Sequence, residues 1–186
     1  MRIVDFDDFA EDNHRMPQLF RAKAIGNKNL KITLFAVPGK CSESFLKTTK
    51  LIGKDWIEIA MHGEFHDYLE CQNWTKEHAI EVLEKYEKWG VFCKGFKAPY
   101  WETSPGLYQA LLEKKYWIAD HNRNDKIRPK NLDCYKLGPD SWHGHIQNDC
   151  GNGLEEAWDK MLKFIKGEKE FKFISEVVWP GQQNLL

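Results

Sequence analysis

Residues 1–9 read MRIVDFDDF, a β-branched and aromatic run that closes on Asp5, Asp7 and Asp8. The composition predicts a strand over residues 2–6, and the carboxylates lie at its downstream end. Comparable runs recur at 31–37 (KITLFAV), 56–60 (WIEIA), 91–96 (VFCKGF), 117–120 (WIAD), 141–146 (SWHGHI) and 171–175 (FKFIS). Clear helix-period segments lie between them. Thr75 caps one that carries Ala79, Val82, Leu83, Tyr86 and Trp89 on one side and stops at Gly90. Ser104-Pro105 starts a second, because proline at the first helical position gives up an amide that has no partner there anyway. A third runs from Leu154 through Ala157, Trp158, Met161 and Ile165 to Gly167. The polar stretch 123–131 reads as an exposed loop.

Alternating strands and helices imply parallel strands with crossover helices, the α/β class. A complete eight-unit barrel needs about 250 residues, and the chain has 186. The expectation is therefore a compact, distorted or incomplete (β/α) barrel of about seven parallel strands, forming a single domain over residues 1–186. Lys and Arg number 27 against 28 Asp and Glu, a net charge of −1. That balance gives no electrostatic reason to expect nucleic acid or an anionic membrane as a partner. No apolar run approaches the roughly 18 to 20 residues that span a bilayer. Cys41, Cys71, Cys93, Cys134 and Cys150 include no C-x-x-C pair and read as reduced, packed thiols. With an acidic residue already at position 5, before any signal-like stretch, a cytoplasmic location is expected.

In parallel α/β architectures reactive groups gather at the carboxyl ends of the strands. Asp5, Asp7 and Asp8 follow the first strand, His62 and His66 the third, Lys97 to Trp101 the fourth, Asp120-His121 the fifth, and His143 and His145 lie in the sixth. Neutral imidazole and carboxylate suit Zn²⁺ and similar ions, and three such ligands leave a position open for water. His62 and His66 with one aspartate supply that set. A second aspartate beside it can take a proton from the water, and a histidine opposite can protonate a leaving group. Each residue also has a plainer role: an aspartate pair solvates turns, Pro99 shapes one, and one of His143 and His145 can be structural. The joint occurrence in one order carries the argument.

These motifs resemble those of the metal-dependent polysaccharide deacetylases with the NodB-homology domain, carbohydrate esterase family 4. Asp5-Phe6-Asp7-Asp8-Phe9 stands where that family has Thr-Phe-Asp-Asp-Gly, which implies Asp7 as catalytic base and Asp8 as metal ligand. His62-Gly63-Glu64-Phe65-His66 is similar to its His-Ser/Thr-x-x-His and implies the other two ligands. Lys97-Ala98-Pro99-Tyr100 looks like its Arg-x-Pro-Tyr, with the Tyr100 amide helping to hold an oxyanion. Trp142-His143-Gly144-His145 resembles its late motif, with His145 favoured as general acid and Asp120 as a supporting acidic residue. Trp101 and Trp142, with His143, Pro99 and Tyr100, are the expected substrate contacts.

The resemblance implies hydrolysis of an acetyl group from an N-acetylated sugar or polysaccharide, with Zn²⁺, Co²⁺ or Ni²⁺ as the ion. Four positions depart from the family pattern: Asp5, Phe9, Gly63 and Lys97. Two other readings remain open at this point. A haloacid-dehalogenase-type phosphatase would use Asp5 as nucleophile and Asp7 as acid/base, and a non-catalytic carbohydrate-binding protein would keep the fold alone.

Overall fold

The computed structural model describes residues 1–147 and 152–180. Its strands are β1 (Arg2–Phe9), β2 (Ile32–Ala36), β3 (Ile57–His62), β4 (Gly95–Lys97), β5 (Trp117–Ala119), β6 (Cys134–Tyr135), β7 (Ser141–His145) and β8 (Phe171–Lys172). Its helices are α1 (Met16–Arg21), α2 (Glu43–Ile52), α3 (Lys76–Glu87), α4 (Pro105–Lys114), α5 (Trp158–Ile165) and α6 (Ile174–Val178). Seven strands follow the order β6-β5-β4-β3-β2-β1-β7, with β8 paired to β1. Every strand pairing is parallel. The sheet curls until its two end strands come within side-chain reach, Tyr135 Oη on β6 lying 2.6 Å from Ser141 Oγ on β7. It is the incomplete, distorted (β/α) barrel that the strand count and chain length predict.

Alternation along each strand divides two environments. Outward residues such as Val4, Phe6, Leu34 and Ile59 pack under Leu19 of α1, Leu46 of α2 and Met161 and Ile165 of α5. Met61, Phe96 and Ile118 pack under α3 and α4. Each such fully buried aliphatic or aromatic side chain contributes roughly 1.5–3 kcal/mol. Inward residues form a smaller apolar floor of Ile3, Phe35, Ala60, Trp117, Ala119 and Tyr135. The Trp117 ring occupies the space that a Cβ at Gly95 would take, 2.1 Å away. One layer further along, the same inward face carries Asp5, Asp7, His62, Lys97, His143 and His145, at the carboxyl ends of the strands.

The open end below the floor is closed by α6. Ile174 donates its amide to Thr33 Oγ1 at 3.1 Å, and Ser175 binds Glu58. This corrects the expectation of a strand over 171–175. The strand ends at Lys172 because Glu176 Oε2 accepts the Phe173 amide at 2.8 Å and starts a helix. The strand expected over 91–96 is likewise only Gly95–Lys97. The third helix begins at Trp158, the residues from Leu154 forming turns. The stretch 123–131 is not simply exposed, since Asn124 is buried and Arg128 pairs with Asp120 at 2.7 Å. Cys41, Cys71, Cys93 and Cys134 are free thiols, and Cys150 lies outside the described residues. Among the described residues no helix is long and apolar enough to cross a membrane.

Candidate active site

Strict alternation would send Asp7 and Asp8 to opposite faces of β1. A bulge prevents this: Phe6 pairs with Leu34 but Phe9 with Ala36, so β1 holds one residue more than β2 over this step. Asp8 absorbs the bend at φ 62°, a conformation that aspartate tolerates better than most residues. The two carboxylates therefore approach the same cavity from adjacent positions.

Asp8 Oδ1 lies 2.8 Å from His66 Nε2 and 3.3 Å from His62 Nε2. Its other oxygen accepts from Gln147 Nε2 at 2.8 Å. His62 Nδ1 donates to the Lys97 carbonyl oxygen at 2.9 Å, which leaves the Nε2 lone pair of the neutral ring facing Asp8. Asp8 Oδ1 is buried without a hydrogen-bond donor among the described residues. A carboxylate oxygen and imidazole lone pairs aimed at one another repel unless a cation lies between them. The donor set of one carboxylate and two imidazoles therefore fits a divalent ion. Burial opposes charge on Asp8, but positive charge on the His62 and His66 side outweighs it and holds the carboxyl well below the usual range, as a bound cation there would.

The loop between the two histidines is built for this geometry. Gly63 has φ +63°, and a Cβ there would meet Glu70 Oε2 at 2.4 Å and Pro99 Cγ at 2.7 Å. Glu70 instead gathers three successive amides, from Glu64 at 2.8 Å, Phe65 at 3.0 Å and His66 at 2.9 Å. Glu64 ties the loop to α3 through Lys85 and Tyr86. Pro99 thus wedges against the histidine loop.

Beside this triad lies a second cluster. Lys97, 1% exposed, places Nζ 2.7 Å from Asp7 Oδ1 and 3.1 Å from Asp5 Oδ1. The register sets Asp5 opposite His143 and Asp7 opposite His145. His143 Nδ1 is 2.9 Å from Asp5 Oδ1, and its Nε2 is 3.7 Å from Asp7 Oδ2. Burial disfavours charge on Asp7, but Lys97, His143 and His62 overcome it and lower its pKa. Burial also works against the Lys97 ammonium, and Asp5 and Asp7 more than compensate. His143 is raised, since Asp7 and Asp5 outweigh its burial and the opposing Lys97. His145 is lowered, chiefly by burial. With neutral imidazoles, the ionised forms of Asp5, Asp7 and Asp8 exceed Lys97 by two negative charges, which one divalent cation cancels.

Two expected site residues lie elsewhere. Asp120 does not touch this cluster: Oδ1 accepts from the His121 amide and Asn124, and Oδ2 from Tyr108 and Arg128. It anchors a turn whose Asn124 and Arg123 hold the carbonyls of Trp101 and Tyr100. Trp142 alternates with His143 and so faces outward, its ring 5.8 Å from Phe164 of α5. Tyr100 and Trp101, at φ 56° and 60°, do join the rim. The Tyr100 ring lies tilted 5.2 Å from His66, and Trp101 lies 5.9 Å from His143 with the Lys97 ammonium 4.5 Å from its ring. Gln147 and Glu70 were not anticipated. Gln147 follows His145 by two residues, an alternation signal, whereas nothing local in the sequence marks Glu70. Asp5, 1% exposed and bound by Lys97 and His143, lacks the accessibility that a phosphatase nucleophile needs.

The sequence matches no family model and no curated protein sequence. Solved structures of carbohydrate esterase family 4 share the fold over nearly the whole chain. The Bc1960 peptidoglycan N-acetylglucosamine deacetylase matches with TM-score 0.65 at 20% identity, over 94% of this chain and 86% of that one. The chitin deacetylase of Colletotrichum lindemuthianum matches with TM-score 0.65 at 14% identity, over 98% and 88%. A family 4 pseudoenzyme from Bacillus anthracis matches with TM-score 0.64 at 12% identity, over 96% and 65%. A family 4 acetyl xylan esterase from Clostridium thermocellum, solved with a cobalt ion, has the same fold at TM-score 0.59 and 15% identity, over 94% and 88%. The chain thus has the family 4 fold, and catalytically silent and active proteins both use it.

Proposed function

We propose that this chain is a metal-dependent hydrolase that removes an acetyl group from an N-acetylated carbohydrate. The observation that carries the reading is the unpartnered Asp8 Oδ1 facing His62 Nε2 and His66 Nε2, with the Asp7–Lys97 pair beside it. Asp8, His62 and His66 would hold a divalent ion, which would supply the charge that acidifies a water and polarises an amide carbonyl. Zn²⁺, with Co²⁺ or Ni²⁺ in its place, suits one carboxylate and two imidazoles.

Asp7 takes the proton of the attacking water at Oδ2, because Lys97 holds Oδ1 and keeps the carboxylate ionised. The departing amine needs a proton, and His143 is the imidazole of this wall whose pKa Asp7 and Asp5 raise against its burial. Asp5 fixes the His143 ring by accepting from Nδ1, leaving Nε2 toward Asp7. We therefore give the acid role to His143, while His145, whose pKa burial lowers, lines the same wall. Tyr100 and Trp101 offer aromatic faces for a sugar ring at the rim.

Acetate release from N-acetylglucosamine oligomers by metal-stripped and reloaded protein tests the reading. Release on reloading, absent after Asp7→Asn, supports it. Oligomer binding without acetate release under any of the three metals would favour the non-catalytic reading, for which the pseudoenzyme of the same fold is the precedent.

A further inference from the structure

We propose that Asp7, His143 and His145 form a second, weaker divalent-cation site, and that filling it disables the acid–base pair. The inhibitory part rests on the reaction proposed above, and the binding part does not. Each residue offers one ligand atom, and these atoms all lie within 4.8 Å of one another. The placement follows from the register, which sets Asp7 opposite His145 and puts His143 two residues earlier on the same inward face.

Three features favour a cation there. His143 gives Nδ1 to Asp5 Oδ1 at 2.9 Å, the carboxylate orientation usual for a metal-binding imidazole, and Nε2 is the nitrogen left to bind. His145 Nδ1 is buried without a partner among the described residues. Asp7 Oδ2 stands 3.8 Å from His62 Nε2 and 3.7 Å from His143 Nε2, between the two triads, where a carboxylate can bridge paired ions.

Two features make this the weaker site. Lys97 Nζ lies 2.7 Å from Asp7 Oδ1 and 3.3 Å from His143 Nδ1, and its charge repels a second cation. The first ion also cancels the charge surplus that attracts another. A cation in the second site would occupy the Asp7 oxygen that accepts a proton and the His143 nitrogen that gives one. Excess metal would then inhibit by blocking proton transfer rather than by unfolding the chain.

The test titrates the metal-stripped full chain with Co²⁺, counting bound ion by equilibrium dialysis and following its absorption. The wild type is expected to bind two equivalents, the first more tightly. Acetate release should rise with the first and fall at least tenfold with the second. His143→Ala and His145→Ala should each lose the second equivalent and keep the first, whose retention reports that the variant is folded. Asp8→Asn should lose the tight equivalent. One equivalent in the wild type at saturation, or two in both histidine variants, would overturn the second site alone. Zero equivalents would overturn both centres.

Discussion

His62 Nδ1 donates to the carbonyl oxygen of Lys97 at 2.9 Å, and the ammonium of the same lysine binds Asp7. One residue thus serves both halves of the site, orienting a metal ligand through its backbone and a proton acceptor through its side chain. The division is testable because a substitution removes only the second role.

Lys97→Met keeps the carbonyl but leaves Asp5 and Asp7 buried without their cation. Breaking a buried pair on one side costs about 3–5 kcal/mol, and loss of an organised general base costs on the order of 100-fold in rate or more. The expected result is a lower urea midpoint and much reduced acetate release, with the tight metal equivalent still bound. Loss of that equivalent in a folded variant would contradict the division of roles.

The loop from Gly63 to His66 makes a separate prediction. Gly63→Ala combines a left-handed backbone with a clash against Glu70 and Pro99, and should destabilise the protein by about 1–3 kcal/mol. Glu70→Ala frees three amides that fix the loop and should weaken the tight metal site by about 10–100-fold, as removal of ligand-orienting groups does. Chelator competition measures the second effect, and an unchanged affinity would show that Glu70 does not position His66.

Much of this architecture is legible in the chain because the fold needs what the sequence repeats. Seven of the eight strands coincide at least in part with β-branched or aromatic runs, and the parallel topology brings their ends together. The missed elements have physical reasons. β6 is two residues long, and the pairing of Ile118 with Cys134 and Ala119 with Tyr135, rather than local pattern, defines it. The helix of α6 depends on Thr33 and Glu58, far away in sequence. Within the site, alternation from His143 places His145 inward and Trp142 outward, so the outward Trp142 could have been read from the strand itself. Asp120 could not, because its four donors, on Tyr108, His121, Asn124 and Arg128, converge through an irregular turn with no helix or strand period. Glu70 lies only four to six residues from the amides it binds, but the left-handed backbone at Gly63, His66 and Leu69 that brings them to its carboxylate follows no helix or strand period.

Metal binding should depend on pH through His66. Burial lowers its pKa, but the Asp8 carboxylate 2.8 Å away outweighs this and raises it above the ordinary imidazole value. The proton competes with the metal below that raised pKa, so affinity should fall as pH drops, by about tenfold per unit for each proton displaced. Chelator competition from pH 5.5 to 8.5, on the order of the window where imidazoles titrate, should trace this slope. A flat profile would remove His66 from the ligand set.

Stability should carry the signature of Glu58 at the other end of the barrel. Burial raises its pKa, against the lowering hydrogen bonds from Ser175 and Thr33. A carboxyl whose folded pKa is raised contributes stability in full below its unfolded value, about 4.3, and loses it as pH rises through the folded value. Glu58→Gln should flatten that decline, seen as a urea midpoint at pH 7 above that of the wild type. A steeper decline would mean that the ionised carboxylate holds α6.

Anomalous diffraction from a crystal soaked with one equivalent of Co²⁺ tests most directly whether Asp8, His62 and His66 hold the ion. A single strong peak is expected about 2.0–2.2 Å from Asp8 Oδ1, His62 Nε2 and His66 Nε2, the distance range of such ligands. An ordered cavity with no peak there, or a peak bound by other residues, would contradict that ligand set.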